Sequence, residues 1–466
     1  MTESTTRETP RHVVAVVGAA TAGAEIAHIL AARGAQVVVI EQNSRTYGKI
    51  EDGLPRWHVK QRRDEYEEIN RRLDHPNVEF VPLTRMGADI TYDDLRQGWG
   101  FSAIVLAHGA WRDRPLAVAG AEQFVDRGLV YQNRLIYWFN HYPEKSYSGP
   151  RFDLPPGAIV IGGGLASIDV VKVLQIETTL KALRARGVEE DMLRLEREGI
   201  EPVLQARGLK YADLGAAPCK LFYRRRILDM PLSDIAPDAP PKRADAMRAA
   251  RAKILDKAQR KYLFEFEPQR VPTGLVVEDG GEDGREDGRK ESRMVGLQMS
   301  RTEVADGQVR TLPDSASPVR APLIVSSIGS IPEQIPGIPA RGEVYAYLDA
   351  TVGLLDDGPT AVYAAGNVLT GKGNIKDSLE SGTFVGIHVA ESYLGLSGDD
   401  PPLAEGARKE AGQQGERIAD SMKSRPRLGP QQVAEVIRRV RERQRAVGYE
   451  GNYRAWIARV TPADLH

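Results

Sequence analysis

The chain has 466 residues, of which 41% are hydrophobic and 27% charged, with 45 glycines; it is too long for one ordinary domain and has the composition of two or three globular ones. A formal charge of −1 gives no general reason to expect nucleic acid. The polar start MTESTTRETP lacks the apolar core of a signal peptide, and no run of about 18 to 20 apolar residues could span a bilayer, so a cytoplasmic protein without membrane insertion is expected.

The first element is a β-branched apolar run, HVVAVVGAATAG (12–23), ending in glycines. A strand that turns on glycine into a helix holds a pyrophosphate on the helix N-terminus, where unpaired N–H groups and the positive dipole end face the anion. Gly18 makes the tight turn and Gly23 lets the helix pack on the sheet; Ala20 replaces the second glycine of the pattern. The helix AGAEIAHILAARG follows, with Ile26, Ile29 and Leu30 on one side, then the buried strand AQVVVIEQN (35–43). Glu41 lies 23 residues after Gly18, where a carboxylate accepts hydrogen bonds from an adenosine ribose, as NAD and FAD both require. The glycine motif alone would suit an ordinary βαβ unit with a surface glutamate; the spacing to Glu41 favours the nucleotide.

Residues 78–90 and 101–110 continue this sheet, and Pro143 to Pro156 reads as a linker. A second signature, AIVIGGGLAS (158–167), places Gly162, Gly164 and Ser167 at the motif positions, so the chain has room for two nucleotides, a flavin and a nicotinamide. A helical insert near 177–215 delays the next strand, CKLFYRRR (219–226). Arg224, Arg225 and Arg226 stand where Glu41 stood in the first unit, and forked guanidinium groups there favour the extra phosphate of NADP over NAD. A solvated basic cluster is the alternative. Cys219 is the only cysteine, so the chain holds no CxxC redox pair and no four-thiolate iron–sulfur cluster; electrons must leave for something outside it. It reads as a buried structural thiol, and no metal site is expected.

The charged run EDGGEDGREDGRKES (278–292) reads as a solvated loop. The buried strand in APLIVSSIGSIPEQIPG (321–337) then breaks into a Pro-rich turn, which predicts a return to the first domain and makes that domain discontinuous. In 361–394 a strand, Val362 to Ala365, ends at Gly366-Asn367, and a glycine loop leads to a helix starting near Ile375. Such an N-terminus would stabilise the negative charge of a reduced flavin. Beyond 395, GLSGDDPPLAEG reads as a linker, and 431–447 spaces Val433, Val436, Ile437 and Val440 as one apolar stripe among arginines. That helix either docks on its own body or offers a cationic surface to an acidic electron carrier.

The order and content of these segments over about 12–395 resemble the adrenodoxin reductase and ferredoxin–NADP reductase family, in the larger group that includes the small subunit of glutamate synthase. The resemblance is carried by GKIEDGLPRWHVK (48–60), with Gly53 and His58 at family-like spacing, MGADI (86–90), LIYWFNHYPE (135–144), GGGLASIDV (162–170) with Asp169 in the family's place, YRRR, LIVSSIG (323–329) and the closing glycine turn. It implies an α/β fold of two Rossmann-like dinucleotide-binding domains plus a helical C-terminal extension. A FAD domain from residues 1–150 and 322–395 would hold an inserted NADP domain, 151–321, with 396–466 as linker and extension. It further implies that Gly18, Ala20, Gly23, Glu41 and Gly48 contact FAD and that Gly366, Asn367 and Ile375 close the site. Gly162, Gly164 and Ser167 would form the NADP(H) turn, and Arg224 and Arg225 would hold the 2′-phosphate. His58 and Asp169 would be the catalytic polar groups where the two rings meet, although His58 read without the analogy equally suits a satisfied interface histidine.

Two departures stand out: Asn367, where the family often has an aromatic, and a polar GKGNIKD turn with Lys372 and Lys376. The implied activity is hydride transfer from NADPH to FAD and onward electron transfer to an external iron–sulfur carrier such as a ferredoxin. A flavoprotein subunit feeding another oxidoreductase or a small organic acceptor, and a redox sensor that binds both nucleotides without turnover, are the alternatives.

Overall fold

A computed structural model describes residues 11–233, 235, 239–279, 292–397 and 427–462. Most of the charged loop expected at 278–292 and of the linker expected after 395 lies outside them. The chain divides into two compact units, one formed by Met1–Leu54, His58–Arg112 and Ser330–His466, the other by Pro55–Trp57 and Asp113–Gly329.

The first unit is built on a six-stranded sheet in the order Leu354–Asp356, Ala361–Ala364, Ala103–Leu106, Val13–Val17, Gln36–Ile40, Val78–Val81. All pairings are parallel except the one between the first two strands. The apolar runs are continuous because both faces are covered. Val14, Val16, Val37 and Val39 face a core shared with Ile26 and Leu30 of helix Thr21–Ala32 and Val385 of helix Ile375–Ile387. Val13, Ala15, Val17, Val38 and Ile40 point the other way, into a core shared with Val433, Val436 and Val440 of helix Pro430–Ala446. The apolar stripe of this helix is therefore spent on its own unit, and four of its five arginines are compensated by carboxylates: Arg438 and Arg439 pair with Glu435, Arg441 with Glu79 and Arg443 with Asp89.

The second unit carries a five-stranded parallel sheet, Leu129–Tyr131, Ile324–Ser327, Ile159–Gly162, Lys220–Tyr223, Glu265–Pro268. One face, with Val160, Leu221 and Val325, packs on helix Leu165–Arg184. The other, with Ile159, Ile161, Phe222 and Ile324, packs on Leu297 and Met299 of an antiparallel sheet formed by Arg270–Glu278, Arg293–Ala305, Gln308–Thr311 and Ser317–Arg320.

The units change at Arg112/Asp113 and Gly329/Ser330, where the sequence placed the boundaries at 150/151 and 321/322. The reason is the strand Leu129–Tyr131, whose partner is Ile324–Ser327, far along the chain. That pairing carries 113–150 into the second unit, and the C-terminal helix lies within the first unit rather than beyond it.

Candidate functional site

In the first unit the turn after Val13–Val17 puts Gly18 at φ +100, a conformation that side chains resist, and a Cβ there would lie 2.5 Å from the Ala107 carbonyl oxygen. Gly23 packs closer still: a Cβ would stand 1.8 Å from the Gly18 carbonyl oxygen. The helix Thr21–Ala32 starts at Ala20 with no side-chain cap and no acid in its first turn, so its leading N–H groups have neither an intrahelical acceptor nor a capping side chain. Glu41 follows the next strand and is only 5% exposed. Its Oε2 accepts the Ala19 N–H at 2.9 Å and its Oε1 the Asn43 N–H at 2.9 Å. Burial nonetheless pushes its carboxyl up to about 7, against the opposing pull of those backbone donors.

Two remote glycines converge on this turn. Gly48, at φ +50, sits so that a Cβ would come within 2.8 Å of the Ala20 methyl, and Gly366, at φ +68, within 2.8 Å of the Ala22 methyl. Gly18, Ala20, Gly48 and Gly366 are thus brought around the start of one helix. The Gly366 N–H donates to Ser381 Oγ at 2.9 Å. Asn367 opens a short helical turn, Asn367–Thr370, and its Oδ1 is buried without a hydrogen-bond donor. Ile375 begins the helix Ile375–Ile387 and packs on the first-unit core. At that N-terminus Asn374 Oδ1 accepts the Asp377 N–H at 2.7 Å. His58 precedes the helix Val59–Leu73 at its N-cap position, without a side-chain capping bond, and is half-buried.

In the second unit Gly164 opens helix Leu165–Arg184, again with no side-chain cap and no first-turn acid. A Cβ on Gly162 would meet Ser167 Oγ at 2.2 Å and the Ser327 carbonyl oxygen at 2.3 Å. Ser167 is 1% exposed, and its hydroxyl lies 3.0 Å from both the Ser327 carbonyl and the Ser327 hydroxyl, which ties the helix to the neighbouring strand. Two residues further on, Asp169 Oδ1 is 3.6 Å from Lys172 Nζ. Though 22% of its side chain stays exposed, burial pushes its carboxyl up to about 6, with the ammonium opposing the shift. Lys172 also pairs with Glu196 at 3.1 Å and lies over the Trp57 ring at 4.4 Å.

The arginines after Lys220–Tyr223 have three different settings. Arg224 is exposed. Arg225 donates to the Gly307 carbonyl at 3.1 Å and lines an open cavity of about 590 Å³ with Asp229, Ile235, Ala239, Pro241, Ala244, Arg248 and Arg251. Arg226 donates to both carboxylate oxygens of Asp229, at 2.8 and 3.1 Å. Cys219 is buried, and burial raises its thiol pKa.

The sequence reading missed several residues here. Gly382 and Gly386 allow helix Ile375–Ile387 to lie on Thr21–Ala32, a Cβ on Gly382 falling 2.9 Å from the Ala22 carbonyl oxygen and one on Gly386 3.1 Å from Ile29 Cδ1. Their four-residue spacing on one helix face was the available signal. Trp111, whose Nε1 donates to the His108 carbonyl at 2.8 Å, stands by Gly48 under the Lys49 ammonium, 5.6 Å from the ring centre.

No family model matches the chain. It is 25% identical over 214 residues to the mitochondrial NADPH:adrenodoxin oxidoreductase of Arabidopsis thaliana, covering 43% of each chain. It is 31% identical over 161 residues to the NADPH-type glutamate synthase small chain of Bacillus subtilis, covering 34% of this chain and 31% of that one. These matches span less than half of the relatives' lengths. Among solved structures, Mycobacterium tuberculosis FprA in complex with NADPH superposes with a TM-score of 0.58 at 17% identity, covering 92% of this chain and 99% of that one. The chain is thus similar to an NADPH:adrenodoxin oxidoreductase and a glutamate synthase small chain, and its two-unit α/β fold is that of FprA. Among the described residues no helix is long and apolar enough to cross a membrane.

Proposed function

We propose that the chain is a FAD-containing NADPH oxidoreductase that passes electrons to an external iron–sulfur carrier of the ferredoxin type. The observation that carries the proposal is the pair of strand–glycine–helix turns, one facing a buried carboxylate and the other belonging to a sheet whose next strand ends in guanidinium groups. The names of the curated relatives, an NADPH:adrenodoxin oxidoreductase and an NADPH-type glutamate synthase chain, support it.

The residues of the first unit fit FAD. Gly18, Gly48 and Gly366 form a cradle that side chains would fill, the helix start is uncapped, Glu41 can accept ribose hydroxyls, and Asn367 Oδ1 is a buried acceptor lacking a donor. Ala20 and Gly23 set the backbone of the turn, and Ile375 starts the helix that closes the site. When bound, the flavin supplies the exchange between two-electron hydride chemistry and one-electron transfer. Gly162, Gly164 and Ser167 set the turn for the NADPH pyrophosphate, and Arg224 and Arg225 read the 2′-phosphate. Hydride transfer needs little acid–base assistance, so His58 and Asp169 are assigned to holding the reacting groups in register. One buried thiol leaves no internal disulfide to receive electrons.

NADPH-driven cytochrome c reduction, with and without added ferredoxin, tests the proposal. Ferredoxin-dependent turnover is expected. Ferredoxin-independent reduction favours a flavoprotein reductase for other acceptors, a reading the glutamate synthase relative also supports. No turnover with any acceptor favours a redox sensor.

A further inference from the structure

We infer that helix Tyr453–Val460 is a clasp on the flavin site of the first unit: Tyr453 and Trp456 are positioning residues that set the loop from Glu41 to Gly48, and through it the retention of the nucleotide. The inference rests on the FAD reading above and assigns a part in it to residues far along the chain, Tyr453 standing 407 positions from its partner Thr46.

The loop has little of its own to hold it. Its residues 42–47 belong to no helix or strand, and among the described residues neither Ser44 nor Thr46 makes a backbone-to-backbone hydrogen bond. Backbone without ladder partners takes its partners from side chains or water. Yet the two ends of the loop carry the site. The Glu41 carboxylate accepts the Ala19 N–H of the glycine turn, and a Cβ on Gly48 would stand 2.8 Å from the Ala20 methyl of the same turn. Whatever fixes the loop therefore fixes the cradle.

The helix supplies those partners at three consecutive residues. Trp456 Nε1 donates to the Ser44 carbonyl at 2.8 Å, Arg45 Nη1 donates to the Val460 carbonyl at 3.2 Å, and Tyr453 Oη lies 3.0 Å from Thr46 Oγ1. The last contact has a direction. Tyr453 Oη donates to Asn70 Oδ1 at 2.7 Å, which spends its single hydrogen, so the Thr46 hydroxyl is the donor to Tyr453. Asn70 Nδ2 in turn donates to Tyr47 Oη at 3.1 Å, and the Tyr47 ring stacks on Tyr66 with centroids 3.8 Å apart. Thr46 is fully buried and Tyr453 nearly so. Removing one member leaves a buried polar atom unpaired, which costs more than the bond itself. The helix is fixed from its other side as well. Tyr453, and Tyr449 just before the helix, meet the Phe80 ring edge-on at 5.4 and 5.6 Å, on strand Val78–Val81 of the same sheet. Asn452 caps the helix start, its Oδ1 accepting the Ala455 N–H at 2.9 Å. The clasp thus ties the loop to the sheet. Coupling between two sites is reciprocal: a helix that holds the loop for the flavin is itself held down by the flavin.

Flavin release from the full-length holoprotein, followed by free-flavin fluorescence after dilution, tests the clasp. Tyr453→Phe keeps the ring on Phe80 and removes the hydroxyl; it should speed release by roughly fivefold or more, the worth of an ordinary hydrogen bond. Thr46→Val attacks the same bond from the loop and should also speed release. The double variant should release flavin no faster than Tyr453→Phe alone, because the two lesions share one bond. Arg454→Ala removes an exposed pair with Asp74 on the same helix and should leave release unchanged. By reciprocity, hydrogen exchange at 453–460 should slow when FAD is added in excess. If either Tyr453→Phe or Thr46→Val releases flavin at the wild-type rate, or if excess FAD leaves exchange in the helix unchanged, the inference falls with the FAD reading intact. If Arg454→Ala speeds release as much as Tyr453→Phe, the helix acts through general stability and the inference also falls. A wild-type protein that holds no flavin and takes none up removes the FAD reading and the inference together.

Discussion

The two glycine turns share a backbone plan but differ in how much of it is structural. In the first unit both motif glycines are packed against protein: a Cβ on Gly23 would lie 1.8 Å from a carbonyl oxygen. In the second unit Gly162 is equally confined, by Ser167 and Ser327, and Ser167, which stands where the first unit has Gly23, is buried; Gly164, which stands where the first unit has Ala20, is open, the nearest atom to a Cβ on it being Pro231 Cγ, at 3.9 Å. The same contrast holds for the side chains beyond each turn. The first unit offers one buried carboxylate bonded to the turn itself, whereas the second offers guanidinium groups at an open cavity. One site is built into its core and suits a resident nucleotide; the other is open and suits a coenzyme that comes and goes.

The largest test of this contrast is a pair of substitutions. Gly23→Ala should cost about 3 kcal/mol or more, because no flexible neighbour can yield, and should abolish flavin retention. Gly164→Ala, at the motif position that Ala20 fills in the first unit, should move the thermal midpoint little, since the nearest atom to the added methyl is Pro231 Cγ at 3.9 Å, and should leave NADPH bound. Equal thermal losses in the two variants would erase the distinction.

Glu41 provides a pH test. Its folded pKa, about 7, is raised above the ordinary carboxylate value, so the apoprotein is most stable when the group is protonated and loses that stability as pH rises through about 7. Ribose hydroxyls donate to the ionised form, so FAD affinity should rise over the same interval. Glu41→Gln should flatten both profiles; unchanged profiles in the variant would show that another group titrates.

Arg224→Ala with Arg225→Ala should raise the Kd for NADPH by roughly tenfold or more and leave NADH nearly unchanged. Equal losses would show that these arginines do not read the 2′-phosphate. The smallest effect is expected at the C-terminus, where Trp456 Nε1 donates to the Ser44 carbonyl at 2.8 Å, in the loop between Glu41 and Gly48. Trp456→Phe should cost about 1 kcal/mol in thermal unfolding, and a null result would mean that the loop holds without this bond.

Much of this was legible in the sequence because the signals are local. The strand–glycine–helix turns, the interval to Glu41, the late basic strand and the stripe of Val433, Val436 and Val440 are each set by neighbours within a few residues. What was missed depends on distant pairing. The three-residue strand Leu129–Tyr131 is defined by Ile324–Ser327, so the unit boundary could not be read from composition. The four-stranded antiparallel sheet was hidden among polar residues, and helix Tyr453–Val460 is too short to announce itself despite Tyr453, Trp456 and Ile457 on one face. The pairing of Arg226 with Asp229, which removes one arginine of three, is visible only in three dimensions.

The most direct test of the central claim is an anaerobic titration of the isolated protein with NADPH and, separately, NADH. The account expects a yellow protein whose flavin is bleached stoichiometrically by NADPH and far more slowly by NADH. A colourless protein that releases no flavin on boiling and takes none up, or a bound flavin that NADPH leaves oxidised, would contradict it.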